Sequence, residues 1–102
     1  MMNRKMLKQA QELLKQMLQV QQEVESSSVE ATSGGGVVTV RVTGKMTLES
    51  LKISKDVVDP EDVEMLEDLV QAAINEGLSK AQQMASEKMN AVTGGMNIPG
   101  LS

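Results

Sequence analysis

Met6, Ala10, Leu13, Met17, Val20 and Val24 fall at alternating spacings of four and three residues. That spacing is the seam of an amphipathic helix, and it predicts one over residues 3–25. Leu7, Leu14 and Leu18 widen the stripe on one side. No Gly or Pro interrupts it, and the Gln, Glu, Lys and Leu that fill it are good helix formers. A second helix is signalled by Asp59, Pro60, Glu61 and Asp62. Asp59 reads as the N-cap and Pro60 as the first helical residue, with acids in the first turn. Val63, Leu66, Leu69, Val70, Ala73, Ile74, Leu78, Ala81, Met84, Ala85, Met89 and Val92 then carry an apolar face to a stop at Thr93, Gly94 and Gly95.

Between the helices the period changes. Ser26, Ser27 and Ser28 end the first helix, and residues 29–32 suit a short strand. Ser33, Gly34, Gly35 and Gly36 read as a hairpin turn. They lack the spacing of a phosphate-cradling loop, and strand-like sequence follows them. Residues 37–43 alternate, with Val38, Val40 and Val42 on one side and Thr39, Arg41 and Thr43 on the other. This is a half-buried antiparallel strand. Gly44 and Lys45 turn the chain into a further strand over residues 46–53. There Met46 and Leu48 share one phase and Leu51 and Ile53 the other, which places a bulge near Glu49 and Ser50.

The expected fold class is therefore α+β: a small antiparallel sheet and two long helices in one domain, residues 1–93. Residues 94–102 read as a flexible C-terminal tail. A sheet of strands this short cannot cover two helices of more than about 20 residues, at about 1.5 Å rise each. Part of each apolar stripe needs another partner, and a second copy of the chain is the simplest. The core is also wholly aliphatic, with nine Met and no Phe, Tyr or Trp. Such a core is marginal at this length, which again favours self-association.

The missing side chains limit the chemistry. With no His and no Cys there is no usual zinc site, no Ser-His-Asp or Cys-His catalysis and no disulfide. Without aromatics there is no base-stacking platform. No convergent catalytic set, metal site or cofactor site is expected. No stretch approaches a membrane span, and no apolar signal core follows the N-terminus, so the expected location is cytoplasmic and no membrane partner is expected.

Charge is concentrated. Residues 56–76 hold eight acids and no base, while the rest of the chain sums to +4 within a net of −4. The acidic block reads as helix capping and dipole complementarity. A metal site, an acid/base pair or a surface repelling nucleic acid are its functional readings. The first helix carries Arg4, Lys8, Gln11, Lys15, Gln19 and Gln22 opposite its seam, flanked by Lys5 and Glu12. A cationic and amide stripe of this kind can run beside a phosphate backbone, although most such stripes are simply solvated. Arg4 and Lys5 oppose the helix macrodipole, so helix stability alone does not account for them.

Residues 44–75 carry Gly44, Leu48, Leu51 and Ile53, then Val57, Val58 and Asp59. The run Asp62, Val63, Glu64, Met65, Leu66, Glu67, Asp68, Leu69 and Val70 follows, with Ala72, Ala73 and Asn75. This pattern resembles the YbaB/EbfC family of bacterial nucleoid-associated proteins. The Met/Gln/Lys-rich first helix and the ending Gly94, Gly95, Met96, Pro99 and Gly100 extend the match. The resemblance implies an α-β-β-β-α protomer and a tight, tweezer-like homodimer. It implies double-stranded DNA as partner, a location in the nucleoid and a chromosome-organising or regulatory role, without enzymatic activity. Carried onto this chain, its DNA contacts fall on Arg4, Lys5, Lys8 and Lys15, with Lys80 and Lys88 on the second helix. Met6, Ala10, Leu13, Met17, Val20 and Val24 form the core or dimer seam. The competing reading is a protein-interaction module that docks a replication or repair protein through this seam or the acidic helix start.

Overall fold

The computed structural model describes residues 3–94. Helix α1 spans Arg4–Ser26, strands β1, β2 and β3 span Ser28–Ser33, Val38–Thr43 and Leu48–Ile53, and helix α2 spans Val63–Thr93. A 3-10 turn over Lys55–Val57 joins β3 towards α2. The order is α-β-β-β-α, and the three strands form an antiparallel meander in the order β1-β2-β3. The described part of the molecule is elongated, 70 × 26 × 17 Å. Most of the expected tail, residues 95–102, lies outside the described residues.

The turns follow from residues that tolerate a left-handed backbone. Gly34, Gly35 and Gly36 have φ of +60°, +74° and +99°, which closes the β1–β2 hairpin. The β2–β3 turn uses Met46 at φ +61°. Its N–H donates to the Thr43 carbonyl at 2.9 Å, so β3 starts at Leu48 and not at residue 46. A left-handed methionine costs about 1–2 kcal/mol. Met46→Gly should recover that strain less glycine's own entropic cost, a net gain of about 1 kcal/mol. A raised urea midpoint would register it, and an unchanged or lowered one would contradict it.

The phase change in β3 is a bulge. Arg41 pairs with Ser50 but Val42 pairs with Leu48, which leaves Glu49 as the extra residue. The bulge brings Leu48 onto the same face as Leu51 and Ile53, because their partners Val42, Val40 and Val38 all point into the core.

That core is thin. Val38, Val40 and Val42 are fully buried beneath α2, with Ala31 of β1 and Ala73 and Ala81 of α2. Gly77 lies between the two alanines, one turn from each, and is also buried. A Cβ added there would fall 2.8 Å from Val42 Cγ2 and 3.0 Å from Val40 Cγ2. Small residues thus let α2 lie close on the valine face. The Ser33 hydroxyl donates to the Leu69 carbonyl and fixes the hairpin end to the helix.

The start of α2 differs from the sequence expectation. Asp62, not Asp59, is the N-cap, and its Oδ1 accepts from the Met65 N–H at 3.2 Å. Asp59 instead closes a turn of its own. Its Oδ1 accepts from the Glu61 N–H at 2.9 Å, and its carbonyl accepts from the Asp62 N–H at 3.0 Å. Pro60 fits that turn as well as it fits a first helical position, because both need the same φ.

Candidate nucleic-acid interface

Helix α1 is built to stand partly free. Asn3 caps it, with Oδ1 accepting from the Met6 N–H at 2.8 Å. At its other end Ser27 caps through its N–H to the Val24 carbonyl. Burial declines steadily away from that end. Val24 is buried, Val20, Met17 and Leu13 are half-buried, and Ala10 and Met6 are exposed. The expected seam therefore packs inside the protomer only over its C-terminal part. Its N-terminal part leaves an open apolar groove, where Met6, Ala10 and Leu13 face Val92 near the end of α2.

Arg4, Lys5, Lys8 and Lys15 are all exposed on this arm. Among the described residues none of them has a carboxylate partner, and the first turn of α1 holds no acid. Arg4 to Lys15 spans about 16 Å of helix, roughly five phosphate steps along one DNA strand. The stripe presents cations and amide donors, groups that can contact a phosphate backbone.

The two lysines of α2 sit differently. Lys80 Nζ donates to the Glu30 carbonyl at 3.2 Å. The half-buried Lys88 donates to Ser27 Oγ at 3.1 Å. Lys80 ties α2 to the middle of β1 and Lys88 ties it to the junction of α1 and β1, across 50 and 61 residues of sequence. The structure thus separates four cations on α1 with no carboxylate partner among the described residues from two on α2 that hydrogen-bond within the protomer.

The acidic block acts locally at Asp59 and Asp62, through the turn and the helix cap, and Asp56 sits in the first turn of the 3-10 segment. Among the described residues no three carboxylates are placed to hold a metal ion. No described helix is long and apolar enough to cross a membrane.

A second surface is not marked as a site by the sequence pattern alone. Leu51 and Ile53 of β3 stand beside Leu66, Val70 and Ile74 of α2 and line an open apolar groove of about 570 Å³. Leu48, Leu51 and Ile53 are 41%, 40% and 38% exposed although they share the core face of the sheet. The helix lies over β1 and β2, and β3 runs out beyond it as an unpaired edge. The phase of Leu51 and Ile53 is a signal in the sequence; that α2 stops short of them is not.

A sequence model of the YbaB/EbfC DNA-binding family matches residues 1–96. A nucleoid-associated protein of Alkaliphilus metalliredigens is 53% identical over 96 residues, covering 94% of this chain and 84% of that one. One of Syntrophobacter fumaroxidans is 47% identical over 95 residues, covering 93% and 86%. A crystal structure of an uncharacterized Helicobacter pylori protein has the same fold at a TM-score of 0.68, with 23% identity and coverage of 85% and 92%.

Proposed function

Because this chain belongs to the YbaB/EbfC DNA-binding family, we propose that it works as a homodimer gripping double-stranded DNA by its phosphates. The family is one of nucleoid-associated DNA-binding proteins and not of enzymes. The grip comes from Arg4, Lys5, Lys8 and Lys15 on α1, and its sequence preference is weak. The role is chromosome organisation or gene regulation in the cytoplasmic nucleoid. The observation that carries this reading is the exposed cationic stripe on the overhanging end of α1, with no carboxylate partner among the described residues. The exposed stripe is rich in cations, so backbone charge supplies the affinity.

Titrating labelled duplexes of different sequence at two salt concentrations tests the reading. Affinity should fall steeply with salt and vary little with sequence. A protein that ignores duplex DNA at low salt contradicts it, and strong discrimination between duplexes contradicts the phosphate mechanism.

The second copy covers the groove between β3 and the first half of α2. A solvent-facing apolar strip of this kind, at the one sheet edge the helix leaves bare, suits a permanent partner better than water. A two-fold axis there brings two α1 arms into one assembly. Ile53→Asp should yield a monomer by sedimentation where the parent protein is a dimer at micromolar concentration. A dimeric Ile53→Asp protein would move the interface elsewhere.

A further inference from the structure

The sheet has a second face, and neither helix covers it. From β1 it shows Ser28, Glu30 and Thr32, from β2 Thr39, Arg41 and Thr43, and from β3 Ser50 and Lys52. These positions alternate with the buried valines and pair with one another across the strands. Every one is hydroxylated or charged, so the face offers nothing to an apolar partner.

Its centre is a square of two cross-strand pairs. Thr39 pairs with Lys52 and Arg41 with Ser50. Each pair matches a cation with a hydroxyl, and the two cations lie on the diagonal, about 7–8 Å apart at the backbone. These four residues and Glu30 line a shallow hollow of about 310 Å³. Arg41 is steered into position by its neighbours on β1: its guanidinium donates to Ser28 Oγ at 3.0 Å and pairs with Glu30 Oε2 at 3.3 Å. Both members of that pair are about half exposed, where an ion pair contributes little stability. Lys52 has no carboxylate partner among the described residues. Two neighbouring cations, with one acid on the β1 side of Arg41 and none on the Lys52 side among these pairs, lower the stability of the free sheet slightly, and they gain when an anion bridges them.

We propose that this open sheet face is a second contact for duplex DNA, with Arg41 and Lys52 on the phosphates and the Thr39 and Ser50 hydroxyls donating to the same oxygens. The proposal rests on the DNA-binding reading above and adds a site that the α1 stripe does not include. The charge complementarity is local, since the hollow is lined by Arg41 and Lys52 against Glu30 in a chain whose net charge is −4. Glu30 acts as a brake, because it competes with phosphate for Arg41.

The test compares the parent protein, Arg41→Gln/Lys52→Gln and Glu30→Gln by fluorescence anisotropy on one labelled duplex at several salt concentrations. All three positions are exposed, and unchanged thermal melting would show that the fold is kept. The double variant should bind about 5- to 10-fold more weakly near 0.1 M salt, with a log–log salt slope shallower by about 2 per protomer. Glu30→Gln should bind about 2- to 3-fold more tightly, since it frees Arg41 and removes a like charge from the phosphates. A double variant with parental affinity and slope overturns this inference alone and leaves the α1 grip standing. A parent protein that does not bind duplex DNA overturns both.

Discussion

Replacing Gly44 with alanine should lower the unfolding free energy by about 3 kcal/mol or more. The reason is space and not backbone freedom, because Gly44 does not have a positive φ. A Cβ built at Gly44 overlaps the Val24 carbonyl oxygen and crowds Val24 Cγ1. That carbonyl cannot swing aside cheaply, since it accepts the capping N–H of Ser27 at 3.2 Å. The Ser27 carbonyl in turn accepts the Gly44 N–H at 3.0 Å. The end of α1 and the β2–β3 turn are therefore locked together through backbone atoms, and one methyl group forces them apart. Gly35→Ala is the matched control. It has open space around the added carbon and φ of +74°, so only the left-handed penalty of about 1–2 kcal/mol applies. Urea unfolding at one fixed protein concentration compares the two. Equal midpoints for Gly44→Ala and the parent would refute the packing argument.

Converting Arg4, Lys5, Lys8 and Lys15 together to glutamine should weaken duplex binding by about 100-fold near 0.1 M salt. The salt slope should shrink by as much as about 7 for a dimer, at roughly 0.9 for each phosphate no longer neutralised. Glutamine keeps the helix propensity and the donors and removes only the charge. It also relieves the repulsion between Arg4, Lys5 and the positive end of α1, so a folding defect is not expected. Lys80→Gln with Lys88→Gln should behave in the opposite way, lowering stability by cutting the ties to Glu30 and Ser27 while changing the slope little. If the α1 variant bound like the parent, the phosphate grip would have to be assigned elsewhere.

Much of this architecture is visible in the sequence because it depends on short-range periodicity. Val38, Val40 and Val42 announce a strand with one buried face, and the phase slip between Leu48 and Leu51 announces the bulge at Glu49. What escapes is anything set by distant approach. Nothing beside Lys88 in the chain shows that its ammonium reaches Ser27, so it reads as a free cation. Gly44 reads as a turn and Gly77 carries no signal of its own, whereas one admits a helix end and the other a valine face. The choice between Asp59 and Asp62 as helix cap is hidden for a different reason: both sit before suitable residues, and only the separate turn at Pro60 distinguishes them. Arg41 and Lys52 become neighbours only once the β2–β3 register is known.

The first turns of α1 are exposed. In the free protein their backbone is held by Asn3 and by the helix's own hydrogen bonds, against the unfavourable placement of Arg4 and Lys5. Against a phosphate backbone the same two charges are neutralised, and what opposed the helix end now favours it. Helicity and ligand affinity at this end are then reciprocal quantities. On the proposed phosphate grip, a change that strengthens the cap should tighten binding, and a bound duplex should order the arm in return.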